Sequence, residues 1–257
     1  MNENIKYIIN KVKEYTGIPS LSLNERNFLN YLAVDLQKSK SIKHYALRDY
    51  GSYLHLFSNE EDINMKTLIT VHTDRIPVPP YEWKILKDNK LKGQLDNAIS
   101  IAIIRLLIEK QLPMDVLFTT AEEILQSNDQ IIGIYEDCKY KYVVDLDIDV
   151  TVKPDEVESG AISLRDHDSI VKYDKELVEK LSDICEHNEI NYITKDKDWL
   201  MCEIGTTIQQ EPKVRGCYLG LPLDNYHSNH EVMNFKCIEN AIKLIGCLSK
   251  EELVCQR

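Results

Sequence analysis

TLITVHTD, residues 67–74, reads as a short strand that ends on an imidazole. Thr, Ile and Val suit an extended backbone, and an unbroken apolar run is what a strand covered on both faces requires. The pattern recurs downstream. DVLFTT (115–120) leads into Ala121-Glu122-Glu123, and YKYVVDLDID (140–149) carries Asp145, Asp147 and Asp149. Helical patterns separate these strands. AISIAIIRLLIEK (98–110) starts directly after Asp96-Asn97, and KELVEKLSDICEHNEI (175–190) is amphipathic.

Strand, helix, strand in alternation predicts an α/β fold: a three-layer sandwich with a mixed, mostly parallel sheet and helices on both faces. Residues 3–15 read as a helix broken by Gly17-Ile18-Pro19. Ser22-Leu23-Asn24-Glu25 has the form of a capping box opening a second helix through residues 26–38. Further strands are expected at SYLHLFS (52–58), ISLRD (162–166), YITKD (192–196) and GCYLGLPL (216–223), with a closing helix over 235–250. NEEDIN (59–64) reads as a surface hairpin or loop, IIGIYEDC (131–138) as a helix or turn, and residues 75–93 are too proline-rich at their start for a helix. With no linker or repeat, residues 1–257 are expected to form a single domain. Ligands of such sheets bind beyond the carboxyl ends of the strands, where His72, Glu122, Glu123 and Asp147 are predicted to lie.

Composition narrows the function. A chain of 257 residues that is 43% hydrophobic, with nine Gly and eight Pro, can bury a sizeable core. A net charge of -11 with scattered lysines argues against a nucleic-acid partner. The short basic run at 36–44 reads as a solvated helix end. No run of ~18 apolar residues predicts a membrane span, and the opening residues lack a signal-peptide pattern. Seven cysteines without a CxxC pair read as reduced core thiols of a cytoplasmic protein.

Five places in the chain offer metal-seeking side chains. In His72-Thr73-Asp74 the acid lies two residues on, where it can accept the second imidazole N–H and fix the tautomer. Of Glu122 and Glu123, one could bind a metal while the other faces a water. Asp96-Asn97 precedes an apolar helix and could be an N-cap or a bridging ligand. Asp145, Asp147 and Asp149 alternate on one strand face, where unneutralised acids would repel; Asp147 is preferred as ligand, with its neighbours as alternates. His227 and His230 stand in LPLDNYHSNHE (221–231). Each has an ordinary structural reading: a polar turn, a helix start, a cap, a surface histidine. Their joint occurrence in this order instead points to a two-metal hydrolytic site.

In that order the residues resemble the dinuclear zinc peptidases, closest to the glutamyl-aminopeptidase and tetrahedral-aminopeptidase family. The likeness extends over nearly the whole chain, from GIPSLSLNE (17–25) to the closing GLPLDNYHSNHE (220–231). It implies that His72 and Asp147 bind one metal, Glu123 and His227 the other, and that Asp96 bridges them. It also implies Glu122 as general base and acid, Asp74 as the residue orienting His72, and a cis peptide at Asp96-Asn97. The cofactors would be two divalent ions, zinc first, with cobalt or manganese as alternatives. The substrate would be a short peptide or another small amide, and a homo-oligomer stays open.

Two departures stand out. Only residues 75–95 separate the HxD motif from Asp96, too few for the family's inserted oligomerisation domain. Glu203 occupies the place of a family Asp, which bears on substrate preference. The segment VHTDRIPVPPYEW (71–83) also resembles the related carboxypeptidases and N-acyl-amino-acid deacylases. A dipeptidase or deacylase using the same site is therefore one alternative, and a non-catalytic metal-binding relative another. Trp83 and Trp199 fall in the loops expected to hold specificity pockets, as packing residues or as an aromatic wall.

Overall fold

A computed structural model of the chain describes residues 1–58, 66–78, 83–150, 153–197 and 200–254. The strand first read from the sequence, β3, is Thr67–His72 and is buried along its whole length. The main sheet gathers it with β1 (Tyr45–Asp49), β2 (Leu54–Ser58), β6 (Asp115–Thr119), β7 (Tyr142–Val150), β8 (Ile162–Asp168), β9 (Tyr192–Lys197) and β10 (Gly216–Leu223). Their order is β1-β2-β6-β3-β7-β10-β8-β9. The centre, β6-β3-β7-β10, is parallel. β2 runs antiparallel to β6, and β8 antiparallel to β10. Successive buried residues along β3, β6 and β10 mean that both faces are covered.

Helices α1 (Glu3–Thr16), α3 (Ala98–Glu109) and α8 (Phe235–Val254) pack on one another. α3 is buried from Ala98 to Ile108, as a helix apolar all round must be. Its one charge there, Arg105, donates to Asp35 on α2 (Arg26–Gln37) at 3.0 Å, and Asp35 also accepts from Lys11 and the Tyr15 hydroxyl at 2.6 and 2.8 Å. A buried ion pair is tolerated only with such added hydrogen bonds. Elsewhere α4 (Asn128–Cys138) packs on α7 (Glu203–Gln210), and α6 (Lys175–His187) on α8.

Register sets the height of the site. Thr70 stands opposite Asp145, so β7 runs on past the end of β3 and brings Asp147 level with His72. Asp147 is therefore inside a strand, not at its end as expected. β10 makes this extension possible by pairing with β7 as far as Val150.

The predicted capping box does not form. Glu25 occupies the N-cap of α2 without a side-chain cap bond, and Ser22 and Glu25 turn to other partners described below. Residues 131–138 resolve as helix within α4. The sequence reading missed β1, the short α5 (Pro154–Ser159), α7 and a second sheet. That sheet joins β4 (Lys84–Leu86), β5 (Lys90–Gly93) and β11 (Glu231–Asn234) in the order β11-β5-β4. The hairpin β4–β5 is the regular structure described between Asp74 and Asp96. Residues 59–64 lie outside the described residues. Among the described residues the six cysteines are free, and no helix is long and apolar enough to cross a membrane.

One buried histidine lies away from the metal-seeking residues. His55 on β2 is 1% exposed, and its Nε2 lies 3.0 Å from the Tyr140 hydroxyl, which donates to Asp115 at 2.7 Å. Burial, helped by Arg48, holds its pKa down to about 4. The unfolded chain then binds more protons than the folded one between pH ~6.5 and ~4, so stability falls as pH drops through that window. We expect His55→Gln to remove a component of ~3 kcal/mol from the acid loss of unfolding free energy, read as the difference between urea titrations of the two proteins at pH 7 and pH 4.

Candidate metal centre

His72 ends β3 with its Nε2 3.1 Å from Asp147 Oδ1 and 3.2 Å from Asp96 Oδ1. His227 approaches from the loop after β10, its Nε2 3.1 Å from Glu123 Oε2 and 3.5 Å from Asp96 Oδ2. Asp96 thus presents one oxygen to each imidazole. His72, Asp96 and Glu123 offer ligand atoms within 4.8 Å of one another, a group that could hold a metal ion.

Each side chain is placed by a local device. The main-chain N–H groups of Leu95 and Asp96 donate to Glu231 Oε2 at 2.6 and 3.2 Å, and Asn97 Nδ2 donates to the Leu146 carbonyl at 3.0 Å. The Asp96-Asn97 peptide is cis, as the resemblance implied. Glu122 and Glu123 open a single 3₁₀ turn, Glu122–Ile124, bracketed by the left-handed residues Ala121 and Leu125 (φ 60° and 55°). The Asp74 carboxylate caps that turn, accepting both the Glu122 and Glu123 N–H at 3.1 Å and the Ser22 hydroxyl at 2.6 Å. Glu25 Oε1 accepts from the N–H of Ala121 and of Leu23. The loop read as a helix cap is a brace for the acidic turn.

Asp74 was expected to accept the second imidazole N–H. The nearer acceptor for His72 Nδ1 is instead the Asp74 main-chain carbonyl, at 3.1 Å, with the carboxylate at 3.5 Å. A carbonyl only accepts, so Nδ1 carries the proton and Nε2 is the nitrogen left for a cation.

The acids of β7 part company. Asp145 accepts from Thr70 at 3.1 Å, while Asp149 pairs with Arg165 at 2.7 Å and Lys195 at 3.2 Å. Only Asp147 of the three reaches His72. Glu203 is 0% exposed and accepts from Thr119 at 2.8 Å, so it lies behind the site and cannot line a substrate pocket directly. His230 is exposed and pairs with Asn229. Trp83 packs its ring on Gly93, where a Cβ would meet it at 2.3 Å; Trp199 lies outside the described residues. Glu231 was given no role from sequence, although its four-residue spacing from His227 was visible there; Ser22 and Glu25 read only as a capping box, and Asn97 only as part of a cap or a cis peptide.

The electrostatics call for positive charge. Burial would lower the pKa of His72, yet Asp147, Asp74 and Asp96 hold it well above the ordinary value. Burial likewise opposes the charge on His227, but Asp96 and Glu123 push it up to about 10. Against its own burial, Asp96 is pulled down to about 2 by His227 and His72. Glu122 is raised well above the carboxylate range, by burial first and then by Asp147, Glu203 and Glu123. Burial, then Asp96, pushes Glu231 up to about 8. Asp96 Oδ1 and Glu123 Oε1 are buried and receive no hydrogen bond. An excess of buried carboxylates with open lone pairs beside imidazole nitrogens fits divalent cations.

The family model for M42 glutamyl aminopeptidases matches residues 58–244. No curated protein matches the chain. Among solved structures it resembles the aminopeptidase APDkam598 of the archaeon Desulfurococcus kamchatkensis, at TM-score 0.81 and 14% identity over 97% of this chain and 96% of that one. The TET aminopeptidase of a marine sediment Thaumarchaeota archaeon aligns at TM-score 0.79 and 12% identity, over 99% and 100% of the two chains. The TET1 peptidase of Pyrococcus horikoshii, described as assembling into a tetrahedron or a large octahedral shell, aligns at TM-score 0.75 and 16% identity over 94% and 99%. At such identities these structures establish the fold.

A cation entering this centre must displace protons, because His227 stays protonated below pH about 10 in the metal-free protein. Isothermal calorimetry with Co²⁺ in buffers of different ionisation enthalpy is expected to show proton release and an apparent affinity that rises with pH from ~6 to ~9. Asp96→Ala should weaken binding by at least ~100-fold.

Proposed function

This chain belongs to the M42 glutamyl aminopeptidase family, and on that premise we propose that it is a two-metal aminopeptidase removing N-terminal residues from short peptides. The observation that carries the reading is Asp96, whose two carboxylate oxygens face different imidazoles, His72 and His227. In this reading His72 and Asp147 hold one ion, Glu123 and His227 the other, and Asp96 is shared. Zinc is the first choice for such nitrogen and oxygen donors, with cobalt and manganese next. Bound there, the ions would polarise the scissile carbonyl and make an attacking water more acidic.

The remaining chemistry is the work of this chain's own residues. Glu122 takes a proton from the attacking water as the water oxygen bonds to the carbonyl carbon. It returns that proton to the amine nitrogen as the C–N bond breaks, so one carboxyl serves as base and then acid. Burial among other acids, which lifts its pKa, suits it to both steps. Asp74 is a positioning residue: it holds the backbone of Glu122 and Glu123, and its carbonyl orients His72. Residues 1–257 would act as one catalytic domain in the cytoplasm. Homo-oligomer formation is part of the proposal because structural neighbours are described as a dodecamer and as polyhedral shells.

The test is metal content beside hydrolysis of aminoacyl, dipeptidyl and N-acyl amides. We expect two ions per chain and release from free-amine substrates. Glu122→Gln is expected to keep the metal while kcat falls ~10²–10⁴-fold. Hydrolysis confined to blocked amines would make the protein a deacylase. No hydrolysis and less than one ion bound after Zn²⁺, Co²⁺ or Mn²⁺ is supplied would leave a non-catalytic relative.

A further inference from the structure

Asp147 is held on both of its carboxylate oxygens. Oδ1 accepts the N–H of Ile148 at 2.6 Å, beside its 3.1 Å approach to His72 Nε2. Oδ2 is met from the neighbouring strand, β10. There the Tyr218 hydroxyl shares its one hydrogen between the Ile148 carbonyl and, at 3.5 Å, Asp147 Oδ2. Register explains the reach. Tyr218 stands opposite Asp145, and Gly220 opposite Asp147, so the phenol has to extend forward along the strand to reach the ligand. A Cβ on Gly220 would come within 2.9 Å of the Tyr218 ring and 2.6 Å of Asp149 Cβ. The glycine leaves the space that the ring occupies.

The ring is supported in turn by Arg165 on β8. Its guanidinium carbon lies 3.7 Å from the ring centroid, and both side chains are buried. Arg165 Nη2 donates to Asp149 Oδ1 at 2.7 Å, and Asp149 also pairs with Lys195 at 3.2 Å. Arg165 Nε and Nη1 are buried and have no acceptor among the described residues. Unmade hydrogen bonds on a buried guanidinium cost free energy. A cation over an aromatic face is worth most where water is excluded, so the ring contact offsets part of that cost. Asp149 is no part of the centre, yet it anchors the cation that supports the ring touching Asp147.

Resting on the two-metal reading above, we propose that Tyr218 is a positioning residue for Asp147, with Arg165 as the support of its ring. The hydroxyl occupies Oδ2, so Oδ1 is the oxygen left facing the ion that His72 would share. A ligand whose far oxygen is already held has less freedom to lose when a cation arrives, and partners of this kind orient metal-binding side chains and set their affinity. The effect is confined to one ion. Tyr218 touches Asp147 and its strand, whereas Glu123 and His227 are placed by the acidic turn and by the loop after β10.

Tyr218→Phe keeps the ring on Arg165 and removes only the hydroxyl. Calorimetric titration of the metal-free protein with Co²⁺ should resolve two binding steps in the wild type. In Tyr218→Phe one step should weaken ~10–100-fold while the other stays within about threefold. Arg165→Lys keeps a charge for Asp149 but gives up the guanidinium on the ring, and should weaken the same step by a smaller factor. A tyrosine with a merely structural role would instead lower the melting temperature of the metal-free protein and leave both affinities at wild-type values. That result overturns the proposal, and so does equal weakening of both steps. Where Tyr218→Phe does not fold, Arg165→Lys decides, and unchanged affinities in it overturn the proposal. A wild type that binds fewer than two ions overturns the two-metal reading and this inference with it, whereas two ions bound alike by the wild type and Tyr218→Phe overturn the tyrosine's role alone.

Discussion

A carboxylate that must face two imidazoles at once governs the architecture of this centre. Asp96 is 3% exposed, and each of its oxygens lies near a different histidine. A buried acid is costly unless paired, and Asp96 has charged partners on both sides. To keep it there, Glu231 takes the N–H groups of Leu95 and Asp96, while Asn97 ties the next residue to β7. Because β11 pairs with β5 through Glu231 and Gly93, the small sheet draws together the chain before Asp96 and the loop bearing His227. Its three strands act as a clamp on the centre.

The N-terminal loop shows local stability given up for the site. Ser22 and Glu25 have the spacing of a capping box, and a lost cap costs a helix about 1 kcal/mol. Their side chains instead support Asp74 and the Glu122–Ile124 turn. That turn needs outside support, since it is bracketed by two non-glycine residues in left-handed geometry. The placement of two neighbouring glutamates, Glu123 beside His227 and Glu122 buried among the other acids, thus depends on residues about a hundred positions earlier in the chain.

Behind the centre lies a second tier of acids, Asp145 and Glu203, buried and held by Thr70 and Thr119. Burial and neighbouring carboxylates raise both above the ordinary range. Such crowding is expensive in a metal-free protein and is eased by divalent charge nearby. In the reading proposed above, a cation held there would therefore stabilise the fold.

Much of this could be read along the chain. β-branched runs ending in His or acids, separated by amphipathic or wholly apolar helices, determined the α/β class and the strands that carry His72 and Asp147, because side-chain periodicity is a local property. The residues assigned as ligands were those whose chemistry has few other uses in such company. Tertiary structure alone decided which neighbour does what. Asp147 rather than Asp145 or Asp149 reaches His72 because β7 extends past β3. Glu203 is fully buried because α7, which it opens, packs on β7 and β10, and Thr119 at the end of β6 donates to it. The carboxylate of Asp74 serves two backbone amides, a pairing between segments forty-eight and forty-nine residues apart. Short strands such as β4 and β11 carry too few residues for a periodic signal; pairing partners far along the chain create them, and no reading of adjacent residues contains that information.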